Sequence, residues 1–173
     1  MDKKVTLLKC AGLAVFVLTA FIFISSVSYL FTWKSDQSLM DHPDMMEQGV
    51  EVANWGGKLG YNTAVLLVAR CFGLGSFALI ILLGAVAARL FFRNRQVGLL
   101  RTAFITVSGT FLSSLLLSYL SSLFGSDTSF GGGLGGDAGY AVVMWMENLV
   151  GSFVTALLLI VLTVGWLIIF NKR

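Results

Sequence analysis

At 173 residues the chain is about one domain long, with 57% apolar and only 12% charged residues, against roughly 25% charged in an ordinary soluble domain. The deficit lies in four runs nearly free of charge, at about 10–31, 71–92, 102–124 and 149–170. A helix of about 20 residues crosses ~30 Å of hydrocarbon, so the composition excludes a soluble globular domain and predicts an all-α membrane protein with four spans.

The first run has a basic start (Lys3, Lys4, Lys9) and small residues near its end (Ser25, Ser26, Ser28), as a signal peptide does. Its apolar stretch exceeds the usual 7–15 residues of such a peptide, so it reads as a retained span. The sequence Leu7-Leu8-Lys9-Cys10 is wrong for a lipoprotein site, because lysine directly precedes the cysteine. Tyr29, Phe31 and Trp33 follow as an expected aromatic belt at the outer interface. A polar loop over 34–54 comes next, with the only proline, Pro43, and an expected short helix over 44–52. Within it Met40, Asp41, His42, Asp44, Met45, Met46 and Glu47 gather soft sulfur and imidazole groups, a set that suits copper. One histidine is thin for a metal centre, and the expectation is a solvated loop with no metal and no cofactor.

The sequence GGKLGY (Gly56, Gly57, Gly60, Tyr61) then returns the chain towards the membrane. One straight helix from Tyr61 to Phe92 would reach ~48 Å, too long for the hydrocarbon core without strong tilt. Gly73 and Gly75 offer a bend, so a short outer interfacial helix is expected over about 60–70, with the span starting near 72. The 93–101 link carries Arg93, Arg95 and Arg101.

The second half repeats this plan. A span over 102–124 leads to an outer loop over about 125–140, then to GGDAGY (Gly135, Gly136, Gly139, Tyr140), an apolar stretch Ala141–Met146, a polar break at Glu147-Asn148 and the last span. Both hairpins run in-out-in, so a duplication is parallel, unlike the inverted repeats of many transporters. The two GGxxGY stretches read as interfacial turns, with both tyrosines at similar outer depth. The run Gly131-Gly132-Gly133 lacks the lysine and preceding strand of a phosphate-binding loop.

Charge sets the orientation. Lys3, Lys4, Lys9, Arg89, Arg93, Arg95, Arg101, Lys172 and Arg173 flank the ends joined by the link, whereas every acid except Asp2 lies in the other two loops or near them. By the positive-inside rule both termini and the link are cytoplasmic. The net charge of +3 is therefore topology, and direct DNA binding by this chain is not expected. Cys10 and Cys71 fall near opposite faces, too far apart to bridge.

Helix association in lipid relies on close packing of small residues. Candidate packing or oligomer contacts are Ser114, Ser118 and Ser122, Gly109 with Ser113, and Gly84 with Ala88. Arg70 and Glu147 end the two short apolar segments; they either pair across the repeat or snorkel separately into the headgroups. No nucleophile–base pair, HExxH or GxxxxGK[ST] occurs, so the chain itself is not expected to be an enzyme. On residues alone, a small transporter or channel subunit and an extracytoplasmic metal-handling protein remain open.

Four stretches carry a family resemblance: SYLFTWKSDQS (28–38), WGGKLGY (55–61), RCFGLGSF (70–77) and GGGLGG (131–136). In this order they resemble the N-terminal four-helix membrane region of FtsK/SpoIIIE-type bacterial DNA translocases, over nearly the whole chain. The resemblance implies a membrane anchor and assembly domain for a hexameric RecA-like ATPase that moves DNA during chromosome segregation. It implies the inner membrane at the division septum, a homo-oligomer and contacts with other division proteins. Neither the Walker motifs nor the winged-helix domain have residues here onto which to be carried. The chain is therefore expected to be a piece of such a translocase or a stand-alone membrane part, with the motor joined after Arg173.

Overall fold

The computed structural model describes residues 3–40, 43–47, 49–92, 98–125 and 128–171. It is helical, with no strand among the described residues, and four helices are long and apolar enough to cross a membrane. Helix α1 covers Lys3–Thr32. Helix α2, Gly57–Ala64, continues as a π-helical segment, Val65–Phe72, and through a short 3-10 turn, Gly73–Gly75, into α3, Ser76–Phe92. Helix α4 is Leu99–Phe124, α5 is Gly136–Val150 and α6 is Ser152–Asn171.

α1 and α3 pair antiparallel. Their backbones approach closely where a Cβ on Gly12 would meet the Phe91 nitrogen at 2.6 Å. At the other end Phe23 and Phe77 meet edge-on, 6.1 Å between ring centres. α4 and α6 are likewise antiparallel, with Phe104 near Phe170 and the Tyr119 hydroxyl 3.2 Å from the Ser152 carbonyl. The start of α1, the end of α3, the start of α4 and the end of α6 thus share one end of the bundle. α3 joins the halves by packing on α4, and α6 lies at the periphery with most of its apolar surface exposed.

The chain bends where glycine permits it. Gly73 takes φ 59°, ψ −138°, a backbone that L side chains avoid, and it separates the π-helical segment from α3. The second bend is displaced from its expected place. α5 runs straight through Glu147 and Asn148 and stops at Gly151 (φ 80°, ψ 159°), whose N–H still reaches the Glu147 carbonyl at 2.9 Å. A polar pair on a helix surface does not break its backbone ladder, and a change of φ does.

The expected helix over 44–52 is not formed. A 3-10 turn at Pro43–Met46 is followed by non-helical backbone at 50–53, beyond Gly49 at φ 99°. The Ala53 N–H donates to Asp36 Oδ1 at 2.8 Å, which holds this strap down.

A paired glycine–serine junction as the candidate functional site

In both halves the GGxxGY stretch opens a helix: Gly56 and Gly135 cap α2 and α5, and Gly57 and Gly136 take positive φ, 62° and 78°. The first and third glycines of each stretch press onto a serine of the preceding span. A Cβ at Gly56 or Gly60 would collide with the Ser25 hydroxyl, and one at Gly135 or Gly139 with Ser118; Gly139 also faces Ser114. Ser25, Ser114 and Ser118 are fully or almost fully buried. Ser114 Oγ donates to the Gly135 carbonyl at 2.6 Å. The hydroxyls of Ser25 and Ser118 have no hydrogen-bond partner among the described residues, so their contribution is small size.

These contacts lie well inside the ends of the spans. Ser118 is six residues before the end of α4 at Phe124, and Ser114 ten, or ~9 and ~15 Å along the axis. Irregular backbone at such depth is tolerated only where protein covers it. Here polar partners are supplied. Asn54 Nδ2 donates to the Ser25 carbonyl and its Oδ1 accepts from the Gly56 N–H, both at 2.9 Å, while the Trp55 N–H donates to Ser28 Oγ at 2.9 Å. In the second half the Leu134 N–H reaches Ser121 Oγ at 3.3 Å.

The two halves then lock together. The Leu74 N–H, just past the Gly73 bend, donates to the Leu134 carbonyl at 2.9 Å. A side chain on Gly73 would collide with Leu134, one on Gly132 with the Ala69 carbonyl, and one on Gly136 with the Cys71 carbonyl at 2.7 Å. Tyr29 donates from α1 to the Phe130 carbonyl at 2.9 Å, and Trp33 packs against Phe130.

This changes the expected role of the tyrosines. Tyr61 is 1% exposed, packs 5.9 Å from Tyr29 and donates to the Asp36 carbonyl at 2.9 Å. It is a core residue, because its hydroxyl finds a protein partner and need not seek headgroups. Tyr29 is fully buried and leaves the expected aromatic belt, whereas Phe31 is exposed. Tyr140 is half-buried.

The other candidate contacts divide. A Cβ on Gly109 would meet the Trp166 ring at 3.0 Å, and Trp166 Nε1 donates to Ser108 Oγ at 2.9 Å. Ser113 faces Gly75, and Ser122 bonds back to the Tyr119 carbonyl of its own helix. A Cβ on Gly84 would meet the Thr19 methyl at 3.6 Å, an ordinary contact. Ala88 is exposed; Gly12 and the buried Ala87 make the α1–α3 seam. Gly12 is a lone glycine in an apolar run, so no small-residue spacing marks it.

Glu147 Oε1 accepts from Ser152 Oγ at 2.9 Å. Arg70 acts on Asp137: partial burial raises that carboxyl above its ordinary value, and the guanidinium works against the rise. A raised acid favours folding at low pH and loses that contribution as pH climbs from the unfolded value, ~3.9, through the folded one. Melting of Asp137→Asn in detergent should therefore lack a fall in wild-type stability over the pH range just above 4. Parallel pH profiles for the two proteins would contradict this.

Of the loop residues considered for metal, Asp41, His42 and the side chain of Asp44 lie outside the described residues. Met45 is buried in a cluster with Tyr29, Tyr61, Ala64 and Val68, and Met40 packs on it, so these thioethers line a core. No group of three His, Cys, Asp or Glu converges among the described residues.

Four apolar spans, paired glycine turns and backbone-to-backbone locking define a multi-pass α-helical membrane domain. Residues 6–173 match the family of the 4TM region of DNA translocase FtsK/SpoIIIE. The chain belongs to this family, whose matched part is the membrane region and not the motor. Searches of curated proteins and of solved structures returned no match.

Proposed function

We propose that this domain anchors an ATP-driven DNA translocase in the bacterial inner membrane, at the division septum, and brings its copies together for ring assembly. The family match carries the reading. Charge supports it: Lys3, Lys4, Lys9, Arg89 and Arg101 flank the bundle end where α1 starts and α6 finishes, which by the positive-inside rule is the cytoplasmic side. A motor joined after Arg173 is then held beside the membrane, and clustering of several domains raises its local concentration.

Reporter fusions after Arg173 test the orientation. A fluorescent protein that matures only in the cytoplasm should glow, and alkaline phosphatase should be inactive. Fused ahead of a fluorescent protein in dividing bacteria, the domain should concentrate at septa, with stepwise photobleaching reporting several copies per focus. Uniform membrane signal from single copies would remove the septal and assembly parts of the reading. Active phosphatase would overturn the orientation.

A further inference from the structure

A cavity of about 510 Å³ opens between the outer loop and the α2–π helix. Its apolar side includes Met40, Met45, Met46 and Leu66; its polar side includes Asn62 and Arg70. Arg70 is the one charged residue lining it among the described residues. Asn62, Leu66 and Arg70 are exposed along one flank, so the cavity opens sideways. Tyr61, also in its wall, bonds to the Asp36 carbonyl four residues beyond the end of α1. The cavity therefore lies level with the end of α1, and an apolar span ends near the phosphates of a bilayer.

We propose that this cavity is a binding site for an anionic phospholipid of the outer leaflet. Its phosphate is held by Arg70 with Asn62, and part of an acyl chain lies among the methionines. A guanidinium forks naturally onto phosphate oxygens. Unbranched thioethers adapt to a flexible chain better than branched residues do. The volume falls within the usual range for small-molecule sites and accommodates a head and part of a chain, with the rest of the lipid left in the bilayer. Asp137, which feels Arg70, competes with the phosphate for the guanidinium. The site does not depend on a motor or on septal placement.

The test uses the full chain, purified in a neutral maltoside detergent and titrated with phosphatidylglycerol, phosphatidylcholine or inorganic phosphate. The readouts are lipid retained through gel filtration and the shift in melting temperature. Phosphatidylglycerol should be retained and should raise the melting temperature; phosphatidylcholine and free phosphate should do neither. Arg70→Gln should cut retention at least about fivefold, as expected for a lost charge-assisted contact, and Arg70→Lys should restore part of it. Met46→Glu alters an exposed side chain, so the fold should tolerate it, yet it puts a carboxylate in the cavity and should also cut retention. Asp137→Asn should strengthen binding. Equal retention by the wild type, Arg70→Gln and Met46→Glu would overturn the proposal, as would equal binding of the two lipids. A response to inorganic phosphate alone would reject a lipid site in favour of a simple anion site.

Discussion

Gly73→Ala should unfold at a markedly lower denaturant fraction than Gly151→Ala, although both glycines have positive φ and both precede a span. Their backbone angles are φ 59° and 80°, and each substitution forces an L side chain into a conformation it avoids. That strain costs of order 1–3 kcal/mol at either site. At Gly151 nothing lies within 4 Å of the added Cβ, so the strain is the whole effect. At Gly73 the Cβ also collides with the Leu134 carbonyl, and relief would require breaking the Leu74–Leu134 hydrogen bond. Backbone cannot swing aside as a side chain does, so overpacking adds about 1–3 kcal/mol. Equilibrium unfolding in mixed detergent micelles should show the difference. Equal losses would mean that the two halves are not locked at this point.

Ser118→Leu should be among the most damaging changes on α4, while Ser118→Ala should be neutral or slightly stabilising. The hydroxyl of Ser118 is buried without a partner among the described residues, so removing it relieves a desolvated polar atom. Leucine would fill the space that Gly135 and Gly139 occupy, at about 1–3 kcal/mol or more. Ser122→Leu is the comparison, because Ser122 is only partly buried and bonds to its own helix. It should fold like the wild type. If Ser122→Leu instead changes the number of copies per complex in light scattering, that end of the stripe faces another subunit. If Ser118→Leu melts like the wild type, the account of the glycine–serine junction is wrong.

The serine spacing on α4 was legible as a packing stripe, but its partner was not. Ser114 and Ser118 receive the glycine turn of the same hairpin, so part of the stripe is used within the chain. Ser25, the counterpart in the first half, sits among Ser26 and Ser28 and resembled the small residues of a cleavage region. Only its contact with Gly56 and Gly60 shows its use. Met45 read as part of a solvated loop because its neighbours in sequence are polar. In the fold the loop closes over Tyr29 and Tyr61, and Met45 fills the space between. A local window cannot report burial created by residues dozens of positions away.

Length, hydropathy and charge by themselves determined four spans in a helical membrane domain, because lipid demands about 20 apolar residues per crossing and leaves no solvated alternative for the backbone. The repeated GGxxGY and the over-long apolar stretches also announced that the chain must turn and bend in each half. Only the tertiary structure decided where those turns dock. Close approach of two backbones depends on what stands opposite each glycine: Ser25 and Ser118 for the paired turns, and Leu134 for Gly73. The same holds for Tyr61, whose hydroxyl could have ended in headgroups or on a carbonyl. The strap that brings Asp36 over α2 chose the carbonyl, and with it made an interfacial residue into a core one.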